Sequence, residues 1–146
     1  HLVGAFALTK ALFPHMKGQG KGSILFQASM TSYIGQPQVA GYATAKAGYL
    51  GLVHTLAAEG GPYGVRVNAI APGFFSTKQN ATLLWNPDGT PTARTGKILA
   101  ATPMNRFGEP EELAGTLLFL CDEAYSGFIT GVNIPVDGGF NAYSGV

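Results

Sequence analysis

Ser23-Ile-Leu-Phe-Gln-Ala-Ser29 is a largely apolar run that stops on a serine. A run of this length reads as a buried strand, over about 23–28, ending in a polar loop. Upstream, Leu2, Phe6, Thr9, Phe13 and Met16 recur at three- and four-residue steps, the period of a helix over about 2–17. Pro14 is placed to kink or terminate it. Downstream, the loop 30–39, with Gly35 and Pro37, leads into a second helix over about 40–59. Gly60-Gly-Pro-Tyr-Gly64 breaks that helix, and Val65-Arg-Val-Asn-Ala-Ile70 is the next strand. Pro72-Gly73 turns the chain at its carboxyl end, where open α/β sheets bind ligands.

Segment 74–102 is the least regular, with two short helical patterns around the turn cluster Trp85-Asn-Pro-Asp-Gly-Thr-Pro91. A long excursion beside a sheet's carboxyl edge reads as a lid or binding loop. Pro110-Glu-Glu112 opens a helix to about 122, with proline in its first turn and acids near the positive end of its dipole. Residues 129–136 supply a last strand. The order helix, strand, helix, strand, excursion, helix, strand is the second half of a doubly wound parallel α/β sheet, forming one partial domain over 1–146.

The second helix carries Gly41-Tyr-Ala-Thr-Ala-Lys-Ala-Gly48. Four residues apart, Tyr42 and Lys46 share a face one turn apart. An ammonium ~4 Å from a phenol favours phenolate by roughly 4 kcal/mol at an effective dielectric of ~20. Such a pair is a proton donor and acceptor suited to carbonyl reduction or alcohol oxidation near neutral pH. Taken alone it also describes a surface tyrosine with a lysine one turn on. Ser29 adds a hydroxyl at a strand's carboxyl end, thirteen residues before Tyr42, able to hydrogen-bond a substrate oxygen. The small residues Ala43, Ala45, Ala47, Gly48 and Gly51 allow another helix or a cofactor to approach closely.

This ordered set resembles the short-chain dehydrogenase/reductase family, whose active site is a serine with Tyr-x-x-x-Lys at this spacing. Family-like blocks continue through Arg66-Val-Asn-Ala-Ile-Ala-Pro-Gly73 with Thr77, Arg106-Phe-Gly-Glu-Pro-Glu-Glu112, Ile129-Thr-Gly131 and Val136-Asp-Gly-Gly139. The resemblance implies a Rossmann-like fold and NAD or NADP as cofactor. It implies Ser29, Tyr42 and Lys46 as the catalytic residues, with Tyr42 and Lys46 also touching the cofactor and Lys46 holding its ribose. It places Pro72, Gly73, Phe75 and Thr77 at the nicotinamide carboxamide, although a threonine there also suits a helix N-cap. It implies that the second helix helps build a dimer interface, so that the full-length protein is a homodimer or homotetramer. Arg106 resembles a position that braces the fold, and Arg66, Asn68 and the Asp137-Gly-Gly139 turn read as structural. His1 stands 28 residues before Ser29, where many members carry an asparagine that holds a relay water; a histidine could relay protons itself.

About 100 further residues are expected ahead of His1, carrying the phosphate-binding turn and the residue that selects NAD or NADP. Gly18-Gln-Gly20-Lys-Gly22 precedes a strand rather than following one, so it reads as a helix-to-strand turn and not as a dinucleotide fingerprint. Two stretches look like the D-mannonate oxidoreductase branch, which interconverts D-mannonate and D-fructuronate. They are Asn86-Pro-Asp-Gly-Thr-Pro-Thr-Ala-Arg94 through Thr102-Pro-Met-Asn-Arg106, and the tail Pro135-Val-Asp-Gly-Gly-Phe-Asn-Ala-Tyr-Ser-Gly-Val146. Gluconate 5-dehydrogenase-like and ketoacyl reductase-like enzymes are alternatives, and a non-catalytic fragment keeping only fold and interfaces is a third. A sugar acid needs a cation for its carboxylate; Arg94 is the only arginine of the excursion and the first candidate, ahead of Lys78 and Lys97.

A net charge of +1 and 46% hydrophobic residues describe an ordinary soluble globular chain, and the family resemblance implies a small-molecule substrate. No basic block points to nucleic acid, and no apolar stretch reaches the ~18–20 residues of a membrane span. The single cysteine, Cys121, in Leu117-Leu-Phe-Leu-Cys121, reads as a buried inert thiol in a reducing, cytoplasmic setting. His1, His15 and His54 lack the company needed for a metal site, and His15 and His54 read as surface residues. Asn80-Ala-Thr82 matches a glycosylation sequon, but nothing else suggests secretion.

Overall fold

The computed structural model describes residues 1–78 and 80–145; Gln79 in the excursion and Val146 at the end of the tail lie outside the described residues. Helix α1 (Leu2–Gln19) runs into strand β1 (Gly22–Gln27), and a 3-10 turn at Met30–Ser32 precedes helix α2 (Ala40–Gly60). After a second 3-10 turn comes strand β2 (Val65–Pro72). Helices α3 (Ala81–Leu84), α4 (Ala93–Ala101), α5 (Glu112–Cys121) and α6 (Glu123–Ser126) then lead to strand β3 (Asn133–Val136).

The strands lie in the order β1-β2-β3 and every pair is parallel. Gly22 pairs with Val65 and Gln27 with Ile70, while Ala69 pairs with Asn133 and Pro72 with Val136. Parallel neighbours need long crossovers: α2 supplies the first and the excursion with α3–α6 the second. The central strand is buried from Val65 through Ala71, the continuous burial of a parallel strand covered on both faces. Phe13, Phe26, Tyr49, Val53, Ala57, Val65 and Val67 form the main core between α1, α2 and the sheet. The small residues of α2 serve its packing: a Cβ on Gly48 would stand 2.6 Å from Leu2 Cδ2 of α1.

Three expectations change. Pro14 does not end α1, which continues to Gln19; Phe13 is buried and Met16 packs on Gly22, so docking onto the core outweighs the one ladder hydrogen bond that proline removes. The turn to β1 falls within 18–22 as the sequence suggests: Gly20, with a left-handed φ of 69°, lets its N–H close on the Lys17 carbonyl. Cys121 is exposed, as are Leu117, Leu118 and Phe119; α5 is apolar all round and only Leu120 is buried, so composition could not say which face turns inward. The last strand starts at Asn133 rather than 129. The preceding residues are spent on β2: the Ile129 carbonyl accepts from Asn68 Nδ2, Thr130 Oγ1 accepts the Val67 N–H, and Gly131 donates to the Val67 carbonyl.

The excursion has a small core of its own, in which Leu84, Ile98 and Phe107 pack with Phe74 and Leu99. Two hydroxyls tie α4 back to α3: Thr95 Oγ1 donates to the Leu84 carbonyl at 2.5 Å and Thr92 Oγ1 to that of Leu83 at 3.0 Å.

Candidate active site

Ser29 stands two residues beyond the end of β1 and is buried. Its extended backbone starts the 3-10 turn, and its Oγ accepts the Thr31 N–H at 3.3 Å. Ser32 returns the contact, its Oγ accepting the Ser29 N–H at 3.4 Å, a capping box in miniature. The Ser32 hydroxyl then donates to the backbone carbonyl of Lys46 at 2.8 Å. Serine loop and lysine helix are therefore one hydrogen-bonded unit.

Lys46 is buried on α2, and its Nζ donates to the carbonyl of Gln27 at 2.6 Å. Burial holds the ammonium below its ordinary pKa. The ammonium lies 5.7 Å from the centre of the Tyr42 ring and 5.1 Å from that of Tyr49. Tyr42, one turn earlier, is exposed, and its hydroxyl makes no hydrogen bond among the described residues. The His1 imidazole packs edge-on to the Tyr42 ring at 5.4 Å. Its backbone carbonyl accepts from the Tyr49 hydroxyl at 3.0 Å, so Tyr49, which also stacks on Phe26, seats the start of α1 against α2. That seating was not legible in sequence, where Tyr49 is one more apolar helix position.

The neighbouring strand end carries the second group. The Ala28 N–H bonds the Ile70 carbonyl at 2.8 Å, which sets the start of the serine loop beside the end of β2. Gly73 is pressed against Asp137, where a Cβ would stand 2.7 Å from a backbone Cα. Phe75 bridges Gly108 in parallel, and Thr77 is exposed. Thr77 is not a helix cap: α3 begins at Ala81 and Asn80 occupies its N-cap. Asn80 is instead a residue that sequence reasoning missed. Its Nδ2 donates to the Phe75 carbonyl at 2.8 Å and its Oδ1 accepts the Thr77 N–H at 2.9 Å.

Other candidates fall outside this edge. Arg94 is exposed on α4, and no hydrogen bond or ion pair joins it to Ser29, Tyr42 or Lys46 among the described residues. Arg106 grips Glu112 through two 2.7 Å hydrogen bonds and also donates to the Phe107 carbonyl. Arg66 and Asn68 are buried and tie β2 to Leu120 and Ile129, and Asp137 caps its own turn through the N–H groups of Gly139 and Asn141. His15 and His54 are on the surface. Among the described residues no group of three potential ligands could hold a metal, and no helix is long and apolar enough to cross a membrane.

A parallel sheet with a Ser, Tyr-x-x-x-Lys set and a Pro-Gly turn at its carboxyl edge defines a class, and the comparisons bear this out. A family profile described as enoyl-(acyl carrier protein) reductase matches residues 1–141. The chain belongs to the short-chain dehydrogenase/reductase family. It is similar to an uncharacterized oxidoreductase of Bacillus subtilis, 49% identical over 146 residues that make up 100% of this chain and 52% of that protein. A solved structure provisionally designated a D-mannonate oxidoreductase from Haemophilus influenzae, with bound NAD, is 46% identical at a TM-score of 0.92, covering 98% of this chain and 51% of that one. A gluconate 5-dehydrogenase from Burkholderia cenocepacia, in complex with NADP and tartrate, is 32% identical at a TM-score of 0.87, covering 97% and 53%. The chain spans about half the length of the curated relatives it matches. That fold is the carboxyl-side half of a Rossmann-like sheet.

Proposed function

We propose that this chain is the catalytic portion of an NAD(P)-dependent oxidoreductase that interconverts a secondary alcohol and a ketone, with a sugar acid of the D-mannonate/D-fructuronate type as substrate. The observation that carries the reading is the hydrogen-bonded unit of Ser29, Ser32, Lys46 and Gln27, with the Lys46 ammonium 5.7 Å from the ring of Tyr42, whose hydroxyl makes no hydrogen bond among the described residues.

The donors left over suit the chemistry. Ser29 Oγ uses one lone pair on Thr31, so its O–H remains to bond a substrate oxygen. Lys46 has three N–H donors and spends one on Gln27; the others serve the Tyr42 oxygen and a ribose hydroxyl. Tyr42 gives its proton to the carbonyl oxygen in reduction and removes it from the alcohol in oxidation, while the ammonium favours the phenolate left behind. A nicotinamide, NAD or NADP, supplies or accepts the hydride. Pro72 and Gly73 bring the chain to its carboxamide, with Phe75 and Thr77 as the groups that meet it. The exposed apolar residues of α1, Val3, Phe6 and Leu8, fit an interface with further protein, either a second copy or the preceding part of the domain. The sugar-acid reading rests on the likeness to the Haemophilus and Burkholderia enzymes, and the acyl-carrier description of the family profile is what favours a ketoacyl-type substrate instead.

The test is Tyr42→Phe in a full-length enzyme carrying these residues, assayed against D-fructuronate and a ketoacyl thioester. Turnover is expected to fall by about 10²–10⁴-fold, the scale of general acid–base catalysis, with cofactor binding retained. Unchanged turnover would remove Tyr42 from the chemistry, and preference for the thioester would replace the sugar acid.

A further inference from the structure

Asn80 stands at the N-cap of α3, where an asparagine side chain ordinarily accepts an N–H from the first turn of its own helix. It makes no such bond. Its carboxamide is turned backwards: Nδ2 donates to the Phe75 carbonyl at 2.8 Å, and Oδ1 accepts the Thr77 N–H at 2.9 Å. The Asn80 N–H adds a third bond, to the Thr77 carbonyl at 3.2 Å. One residue thus ties Phe75 and Thr77 together from inside.

From the other side, Gly108 donates to the Phe74 carbonyl at 2.9 Å and accepts the Ser76 N–H at 3.1 Å. Successive peptide groups of extended backbone point in opposite directions, so the N–H and C=O of Phe75 face away from Gly108. Among the described residues the Phe75 N–H and the Thr77 hydroxyl make no hydrogen bond, although both belong to a turn fixed from two sides. A donor pair held rigid and left unspent is prepared for a ligand.

We infer that Asn80 is a positioning residue for the nicotinamide ring: it splints Phe75 and Thr77 so that their free donors meet the carboxamide. This rests on the dehydrogenase reading proposed above. Among the described residues Asn80 shares no hydrogen bond with Ser29, Tyr42 or Lys46, so Asn80→Ala removes the splint and leaves those three in place.

In a full-length enzyme carrying these residues, the affinities for NAD(P) and for ADP-ribose, which lacks the nicotinamide, are measured by calorimetry for wild type, Asn80→Ala and Asn80→Ser. The expected result for Asn80→Ala is a loss of about tenfold for NAD(P), the scale of one or two hydrogen bonds, with ADP-ribose binding unchanged. Asn80→Ser, which keeps an oxygen for the Thr77 N–H, is expected to fall between Asn80→Ala and wild type, and carries the test if Asn80→Ala does not fold. Equal losses for the two ligands, or no loss for either, would overturn the role of Asn80 while leaving the triad untouched. A wild type that binds neither ligand would overturn the dehydrogenase reading itself.

Discussion

The Lys46 ammonium donates to the carbonyl of Gln27, the last residue of β1, at 2.6 Å. It thereby joins the helix that carries Tyr42 to the strand that delivers Ser29. Lys46 has no ion-pair partner among the described residues, so methionine there removes the desolvation cost of a buried ammonium and offsets the one hydrogen bond lost to the Gln27 carbonyl. Lys46→Met is therefore expected to shift unfolding by less than about 1 kcal/mol while removing turnover and weakening cofactor binding in the full-length enzyme. A large loss of stability together with intact turnover would show that the contact is a brace only.

The same burial gives a dependence on pH. The folded pKa of Lys46 lies below its ordinary value near 10.5, so on raising the pH the native state releases this proton before the unfolded state does. Wherever the unfolded chain binds more protons, stability rises with pH. Denaturant titrations just below pH 10.5 should show a rising contribution that Lys46→Met abolishes; an identical slope in both proteins would contradict it.

Glu112 behaves in the opposite range. The Arg106 guanidinium, followed by the Glu109 N–H, holds its carboxyl at about 2 against an ordinary 4.5. The contribution is fully present above pH 4.5 and is lost as pH falls toward 2. Glu112→Gln should flatten the acid limb of the stability profile in that window, more clearly at low salt, because the pair is exposed to solvent. A limb as steep as wild type would mean that other carboxylates set it.

Gly73 has no room for a side chain, since an added Cβ would press on both the Cα and the Cβ of Asp137. Backbone cannot rotate aside as a flexible side chain can. Gly73→Ala is expected to cost on the order of 1–3 kcal/mol, the range for overpacking, and to displace the Phe75–Thr77 turn. Gly48→Ala meets only the end of Leu2 and should cost less. The reverse ranking in thermal melts would argue against this packing.

The frame and the proposed Ser29, Tyr42 and Lys46 set are legible because both are written in spacing. An apolar run shows a buried strand, and an i, i+4 pair shows one helix face, whatever surrounds them. Asn80 was visible only as a sequon, because its partners are backbone groups of an irregular turn and no side-chain pattern records them. Cys121 was misplaced for a related reason: an α5 that is apolar on every side does not reveal that Leu120 alone is buried. Pro14 shows local propensity overridden by the packing of Phe13 and Met16.

The apolar surface left on the 146 residues has its own consequence. Val3 is 81% exposed, Leu8 62% and Leu118 70%, and β1 pairs on one side only among the described residues. An open strand edge beside apolar helix faces is a template for association. The isolated chain is expected to elute as an associated species in size exclusion and to bind neither NAD nor NADP measurably. A monodisperse monomer with micromolar cofactor affinity would refute this.

Arg94 separates two pictures of substrate recognition. Exposed at the second residue of α4, it has no acidic partner among the described residues. A carboxylate bound there in water forms a pair worth about 0–1 kcal/mol, which corresponds to about fivefold or less in affinity. Arg94→Ala in the full-length enzyme is therefore expected to raise the KM for a sugar acid by no more than about fivefold and to leave a neutral polyol unaffected. If the excursion instead closes on substrate and takes the pair out of water, truncating one partner costs about 2–5 kcal/mol. The loss on the acid alone would then exceed about thirtyfold, at ~1.4 kcal/mol per factor of ten. Steady-state kinetics on a matched acid and polyol distinguish the two, and an equal effect on both substrates would take Arg94 out of carboxylate recognition altogether.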